Sequence, residues 1–450
     1  MARPGRLSVR GDIHAEPASR PPMLDVVCDL WHPESNPGGY LSLGVAENTL
    51  MHKELIEYMK KTFNIESHFL TYGDGFTGSH ILREVAANFI NERFRPVNPV
   101  LKKHVSITSG VGPALELSSF SLCDPGDGIL LGRPYYGTFP SDMGARAGAQ
   151  IVAVSLGGID PLSEEAIASY EQALLDAKER GITTKALILC NPHNPLGRCY
   201  PRSVIEGYMR LCQKYSLHLL SDEIYALSIW DNPDAADAPG FTSALSIDTT
   251  NLIHSDLVHV LWGMSKDFGS NGIRLGCIIS TNEPFQQAVE ANSYWTCASA
   301  LTDQATAKIL ADTAFVDSYV ATNQARLAAS YAVTTRFLRE NDVPYEKGGN
   351  AGFFVWIDLF AWLRKNVEIK LSEADLWALE AELQETLLRN RVFLACGKAF
   401  GSDVPGRFRI VFAHEKGYLE EGLRRMLKTV QSFSQGLQNK QRVLLASDQL

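Results

Sequence analysis

Two basic residues set eight apart carry the first chemistry in this sequence of 450 residues. Lys266 and Arg274 lie in Gly263-Met264-Ser265-Lys266-Asp267-Phe268-Gly269-Ser270-Asn271-Gly272-Ile273-Arg274-Leu275-Gly276, a glycine-dotted loop between two β-rich apolar runs. A lysine held at a strand end among small residues suits Schiff-base chemistry, because a desolvated amine has a lowered pKa and becomes a nucleophile. An arginine nearby suits a phosphate, whose oxygens match the guanidinium fork. Lysine and phosphate grip together point to pyridoxal phosphate. The plainer alternative is a solvated loop with ordinary charges.

Other residues of chemical interest recur at strand ends. Asp222 and Tyr225 close the run 217–225, and Asn191-Pro192-His193-Asn194-Pro195-Leu196-Gly197 stops the apolar run Lys185–Cys190. Ser109-Gly110-Val111-Gly112-Pro113 joins a short strand, Val105–Thr108, to a helix running to about Leu122. Free N–H groups and the helix dipole make such a junction an anion site. It contains neither Gly-Lys-Ser/Thr nor Gly-x-Gly-x-x-Gly. Tyr135 and Tyr136 end the next strand, either as core or as a stacking surface for a flat ring. Glu47 either caps a helix beginning near His52 or lines a pocket. Tyr72 is the long-reaching hydroxyl of a glycine-rich loop before a helix (Ile81–Phe94) with Ser79 as N-cap. Arg409 sits in an otherwise apolar strand and needs a buried anion.

These residues must be positioned by alternating strands and helices from about 100 to 280, the doubly wound pattern, in which ligands bind at the carboxyl ends of strands. The expected architecture is α/β, a large doubly wound domain with a mostly parallel sheet plus a smaller α+β domain. Residues 1–40 read as an irregular N-terminal arm, 41–70 as the N-terminal part of the small domain and 71–320 as the large cofactor-binding domain. Residues 321–435 read as the C-terminal small domain and 436–450 as a frayed polar tail. Leu301–Asn341 reads as one long helix joining the domains. Residues 231–256 form a polar insertion. There is no internal repeat.

A net charge of −9 and the absence of a basic cluster argue against non-specific nucleic-acid binding. No apolar run is long enough to cross a membrane. The eight cysteines are scattered without Cys-x-x-Cys, several within apolar runs, which suggests reduced thiols in the cytoplasm and neither disulfides nor a metal site. The first residues lack the apolar centre of a secretory signal, and Asp12 and Glu16 speak against a transit peptide.

Asn191-Pro192-x-Asn194-Pro195-x-Gly197, Asp222-x-x-Tyr225, Ser265-Lys266 and Arg274 follow the order and spacing of the class I/II aminotransferase superfamily, the fold-type I pyridoxal-phosphate enzymes. Gly44-Val45-Ala46-Glu47-Asn48, Asp124-Pro125-Gly126-Asp127, Pro134-Tyr135-Tyr136, Asn350-Ala351-Gly352 and Pro405-Gly406-x-Phe408-Arg409 narrow the resemblance to 1-aminocyclopropane-1-carboxylate synthases and their relatives, over about 41–430. Trp262-Gly263-Met264-Ser265-Lys266-Asp267-Phe268-Gly269 resembles the fungal members, many of which serve secondary metabolism.

The resemblance implies that Lys266 holds pyridoxal 5'-phosphate as a Schiff base and then takes the substrate's Cα proton. It implies that Asp222 pairs with the ring nitrogen, that Asn194 and Tyr225 hydrogen-bond the ring oxygen, and that Tyr136 stacks on the ring. Arg274, Ser265 and the N–H groups of Val111 and Gly112 would hold the phosphate, with Tyr72 reaching it from the other subunit of a homodimer. Arg409 would bind the substrate α-carboxylate, and Glu47 would line the substrate pocket. The chain departs from the family at Gly263, where serine is usual, at Val111-Gly112, where Ala-Thr is usual, and at Ser270-Asn271, where Leu-Pro is usual. The first two suggest a shifted or weaker phosphate cup. The changes bear on S-adenosylmethionine as substrate more than on the cofactor.

The expected function is that of a pyridoxal-phosphate enzyme acting on a small α-amino acid through Cα deprotonation, with β- or γ-elimination of a sulfur group favoured. Transamination to a 2-oxo acid is the alternative. A catalytically silent binding protein of the same fold is the alternative of another class, and the intact set of Lys266, Asp222, Arg274 and Arg409 argues against it.

Overall fold

A computed structural model describes residues 7–16, 20–367 and 371–447. Its strands are β1 (Leu41–Ser42), β2 (Val105–Thr108), β3 (Gly128–Gly132), β4 (Gln150–Val154), β5 (Thr184–Cys190), β6 (His218–Asp222), β7 (Val258–Gly263), β8 (Gly276–Ser280), β9 (Phe354–Asp358), β10 (Val392–Phe393), β11 (Ala395–Cys396) and β12 (Arg407–Val411). Seven of them form one sheet in the order β2-β8-β7-β6-β5-β3-β4. All pairings in it are parallel except those of β8, which runs antiparallel to both β2 and β7.

Parallel strands connected by helices are covered on both faces, so they read as continuous apolar runs. In β5, Leu187 and Leu189 enter one apolar core, while Ala186, Ile188 and Cys190 enter the other. The period of two along a strand produces this division. The second core continues without a break into the C-terminal sheet β11-β12-β9 through Phe353, Ile357, Phe408 and Ile410. The doubly wound α/β architecture with a smaller α+β portion is therefore present. β1 pairs in parallel with β10, which ties residues 41–42 to the C-terminal part of the chain.

Several boundaries differ from expectation. The stretch expected as one helix is two, Ala300–Ala311 and Thr313–Glu340. Asp312 stands between them in a non-helical conformation, and its carboxylate caps the second helix by accepting from Phe315 N at 2.9 Å. The expected boundary at 320/321 falls inside this second helix. The final helix, Lys416–Ser447, runs on through the segment expected to fray. Residues 448–450 of that tail lie outside the described residues. The arm contains two short helices, Val9–Ala15 and Met23–Cys28, and its residues 1–6 and 17–19 also lie outside the description. Among the described residues no helix is long and apolar enough to cross a membrane.

Candidate active site

The carboxyl ends of β5, β6 and β7 converge on a cavity of ≈ 630 Å³. Nine of the twelve residues expected there line it, Arg409 stands behind the wall on Asn194, and Glu47 and Tyr72 do not line it.

Lys266 lies on the single helical turn Met264–Asp267 that follows β7. Its Nζ donates to the carbonyl of Ala46 at 2.6 Å. Burial, with help from Arg409 and Arg274, lowers its pKa to about 8 against the opposing pull of Glu47 and Asp222. An amine so placed is part-neutral near physiological pH and nucleophilic. The turn is locked by its neighbour Asp267. Its carboxylate accepts from Trp262 Nε1 at 2.9 Å, from Ser228 Oγ at 2.8 Å and from Leu227 N at 3.1 Å. That carboxylate fastens the lysine turn to the chain just beyond Tyr225. It went unnoticed in the sequence, although an acid beside Lys266 and among apolar residues was the signal.

Asp222 ends β6, is 4 % exposed, and accepts from Ile224 N at 3.2 Å. Burial pushes its carboxyl up to about 7. A buried carboxylate at this depth calls for a cationic partner. Asn194 and Tyr225 flank it, both buried. The Asn194 oxygen accepts from Arg409 Nη1 at 2.8 Å, which turns its amide NH₂ away from the arginine.

Arg409, on β12, is 4 % exposed. Its guanidinium lies between the Phe354 and Phe400 rings at 5.3 and 4.8 Å, and Nη2 donates to Gly44 O at 2.6 Å. Its Nε has no partner, and its two bonded donors go to neutral oxygens, those of Asn194 and Gly44. A buried cation with a spare donor and no counter-ion is a ready site for a carboxylate.

At the other end of the cavity, the helix Val111–Leu122 begins from Gly110, whose φ of 106° requires glycine. A Cβ on Gly110 would stand 2.5 Å from Arg274 Nη2, so the guanidinium packs directly against this backbone. Arg274 itself adopts a left-handed φ of 57°, a conformation uncommon for a residue with a side chain and often found at binding sites. Val111, Gly112 and Ser265 line the same end. Tyr136 lies on the cavity wall, its ring edge-on to Phe139 at 5.3 Å.

Glu47 and Tyr72 stand apart. Glu47 is near enough to raise the Lys266 pKa but is not on the cavity wall. It caps no helix. The helix His52–Thr62 starts at Met51 without a side-chain cap, and Leu50 N is taken by Asn48 Oδ1. Tyr72 is 76 % exposed on the loop before Ser79. A chain of edge-on rings, Tyr72–Phe76–Tyr294–Trp295, leads from it to Trp295 on the cavity wall. Trp295 and Asp142 are wall residues that the sequence did not single out. Asp142 Oδ2 accepts from Thr138 Oγ1 at 2.8 Å, and burial raises its pKa.

A strand-end lysine, a buried acid on the neighbouring strand and an arginine against a helix N-terminus fit pyridoxal phosphate, with its aldehyde, ring nitrogen and phosphate. Fold and site together define a vitamin B6-type enzyme of the doubly wound class. The model of the family "Aminotransferase class I and II" matches residues 39–426, and the chain belongs to that family. It is accordingly a pyridoxal-phosphate-dependent enzyme. It is 35% identical to "Probable aminotransferase aclI" of Aspergillus oryzae, over 86% of this chain and 90% of that one. It is 30% identical to "1-aminocyclopropane-1-carboxylate synthase-like protein 1" of Takifugu rubripes, over 90% of this chain and 64% of that one. Its fold matches Thermus thermophilus aspartate aminotransferase with a TM-score of 0.70 at 20% identity, covering 94% of this chain and 99% of that one.

Proposed function

We propose that the enzyme abstracts the Cα proton of an α-amino acid and then expels a sulfur group from its β or γ carbon. The observation that carries the amino-acid reading is Arg409, a buried, uncompensated cation that donates to Asn194 on the cavity wall and helps depress the pKa of Lys266. The bound cofactor supplies an electron sink for the electrons left on Cα. Arg409 binds the substrate carboxylate through Nε and its remaining N–H groups. Lys266 would hold the cofactor and, with substrate bound, would carry the Cα proton. Asp222 faces the ring nitrogen and keeps it protonated. Asn194 and Tyr225 donate to the ring oxygen, and Tyr136 stacks against the ring. Arg274, Ser265 and the N–H groups of Val111 and Gly112 grip the phosphate. Glu47, close enough to raise the Lys266 pKa, would line the substrate pocket once substrate is bound. Tyr72 reaches the phosphate of a second copy in a homodimer with shared sites, which accounts for an exposed tyrosine beside a ring chain leading to the cavity. The eight free cysteines suit the cytoplasm.

Transamination is the second reading, favoured by the name of the Aspergillus oryzae relative. Three incubations separate the readings. Pyruvate and a thiol from a cysteine thioether, or methylthioadenosine from S-adenosylmethionine, support elimination. Glutamate formed from 2-oxoglutarate and an amino acid, with no thiol or thioether released, overturns it.

A further inference from the structure

We propose that Asn271 is a positioning residue that shares the Ala46 carbonyl with Lys266 and so keeps the lysine amine ready for covalent chemistry. The inference rests on reading Lys266 as the residue that captures the cofactor.

The geometry is specific. Asn271 Nδ2 donates to Ala46 O at 3.2 Å, and Lys266 Nζ donates to the same oxygen at 2.6 Å. A carbonyl has two lone pairs and can accept both. The two N–H dipoles then present their positive ends to each other, which disfavours the charged form of the amine. The amide's other end is unusual. Asn271 Oδ1 is buried and has no partner. Leaving such an acceptor unpaired is costly, and a residue kept only for packing has no reason to bear that cost. The backbone of Asn271 faces the other way, its carbonyl accepting from Arg274 Nη1 at 3.0 Å. One residue therefore touches both the acceptor of Lys266 and the arginine at the phosphate end. Asn271 lies in the Ser270-Asn271 pair at which the chain departs from the family. The structure shows what it contacts.

The other groups facing Lys266 come from four elements: Arg409 on β12, Arg274 before β8, Glu47 on the segment 44–48, and Asp222 on β6. Tyr136 and Tyr225 also face the site, and burial keeps both phenols neutral. None of these changes in an Asn271→Ala variant. The Ala46 oxygen would then accept from the lysine alone, which stabilises the ammonium and raises the Lys266 pKa.

The test follows covalent capture and not turnover. Full-length protein is freed of cofactor with hydroxylamine and dialysis. Pyridoxal 5'-phosphate is added, and the absorbance of the forming C=N bond is followed from about pH 6.5 to about pH 9.5, a range bracketing the midpoint expected for such an amine. Capture joins the neutral lysine nitrogen to the aldehyde carbon and releases one water, so its rate tracks the neutral fraction of Lys266. Asn271→Ala should move the midpoint up by about half a unit to one unit, about threefold to tenfold slower capture on the acid side. Asn271→Asp, of the same shape but with an acceptor in place of the donor, should move it further in the same direction. It also carries the test should the alanine variant fold poorly. A midpoint unchanged in the folded variants, with normal capture by the wild type, overturns the role of Asn271 alone. Failure of the wild type to capture the cofactor overturns the cofactor reading of Lys266, and this inference with it.

Discussion

The two ends of the cavity are built from different materials. At the ring end, Asn194, Asp222 and Tyr225 follow the adjacent parallel strands β5 and β6, and the polar work falls to side chains. At the phosphate end, three backbones meet at glycines. A Cβ on Gly276 would stand 2.5 Å from the Gly110 carbonyl carbon, and one on Gly263 would stand 2.6 Å from Leu275 O and 3.2 Å from Val111 Cγ2. Gly263 is therefore more than a lost hydroxyl. The neighbouring backbone and the Val111 methyl fill the space where a side chain would project. Gly112 is the opposite case, with nothing within 4 Å of a Cβ there. Side chains at the ring end act through the groups they carry. Glycines at the phosphate end act through the space beside them, which is occupied at Gly263 and Gly276 and open at Gly112.

The sharpest break of that comparison is at the ring end. Asp222→Asn removes the charge proposed to pair with the ring nitrogen, and turnover should fall by roughly 10²–10³-fold, as when a preorganised electrostatic group is lost. Steady-state kinetics on any accepted substrate reads it. Arg409→Gln removes the buried cation, and kcat/KM for carboxylate substrates should fall by roughly 30-fold or more. Capture of the cofactor by Lys266 should persist in that variant. At the phosphate end, Gly263→Ser forces atoms into filled space and should cost about 1–3 kcal/mol of stability, seen in a denaturant titration. Gly112→Ser should fold normally and slow cofactor release by about threefold to tenfold, through one added hydrogen bond near the phosphate. Destabilisation by Gly112→Ser equal to that of Gly263→Ser would erase the distinction between the two glycines.

The same division explains what the sequence made legible. Asn194, Asp222, Lys266, Arg274 and Arg409 stand out in the sequence through their types and the family motifs they match; the structure brings the first four around one cavity and sets Arg409 behind Asn194. The strands that carry them were readable because a two-faced parallel sheet writes unbroken apolar runs, as in Leu187-Ile188-Leu189. What escaped notice depends on contacts distant in sequence. The carbonyl of Ala46, reached by Lys266 across 220 positions, leaves no mark on residue identity. The buried carboxylate of Asp267 looked like part of a motif and turned out to be a clamp on the lysine turn. The break at Asp312 was missed because alanine-rich helical patterning continues on both sides of it, and only the cap to Phe315 N reveals the stop. The C-terminal helix outlasted its expected end, and within the segment expected to fray Leu437 packs against the second core.

The account depends most on Lys266, and one measurement tests it directly. The purified protein is incubated with pyridoxal 5'-phosphate, reduced with borohydride and mapped by peptide mass spectrometry. One phosphopyridoxyl group on Lys266, absent from Lys266→Ala, is the predicted result. No incorporation, or incorporation at another lysine with Lys266 untouched, would contradict the account.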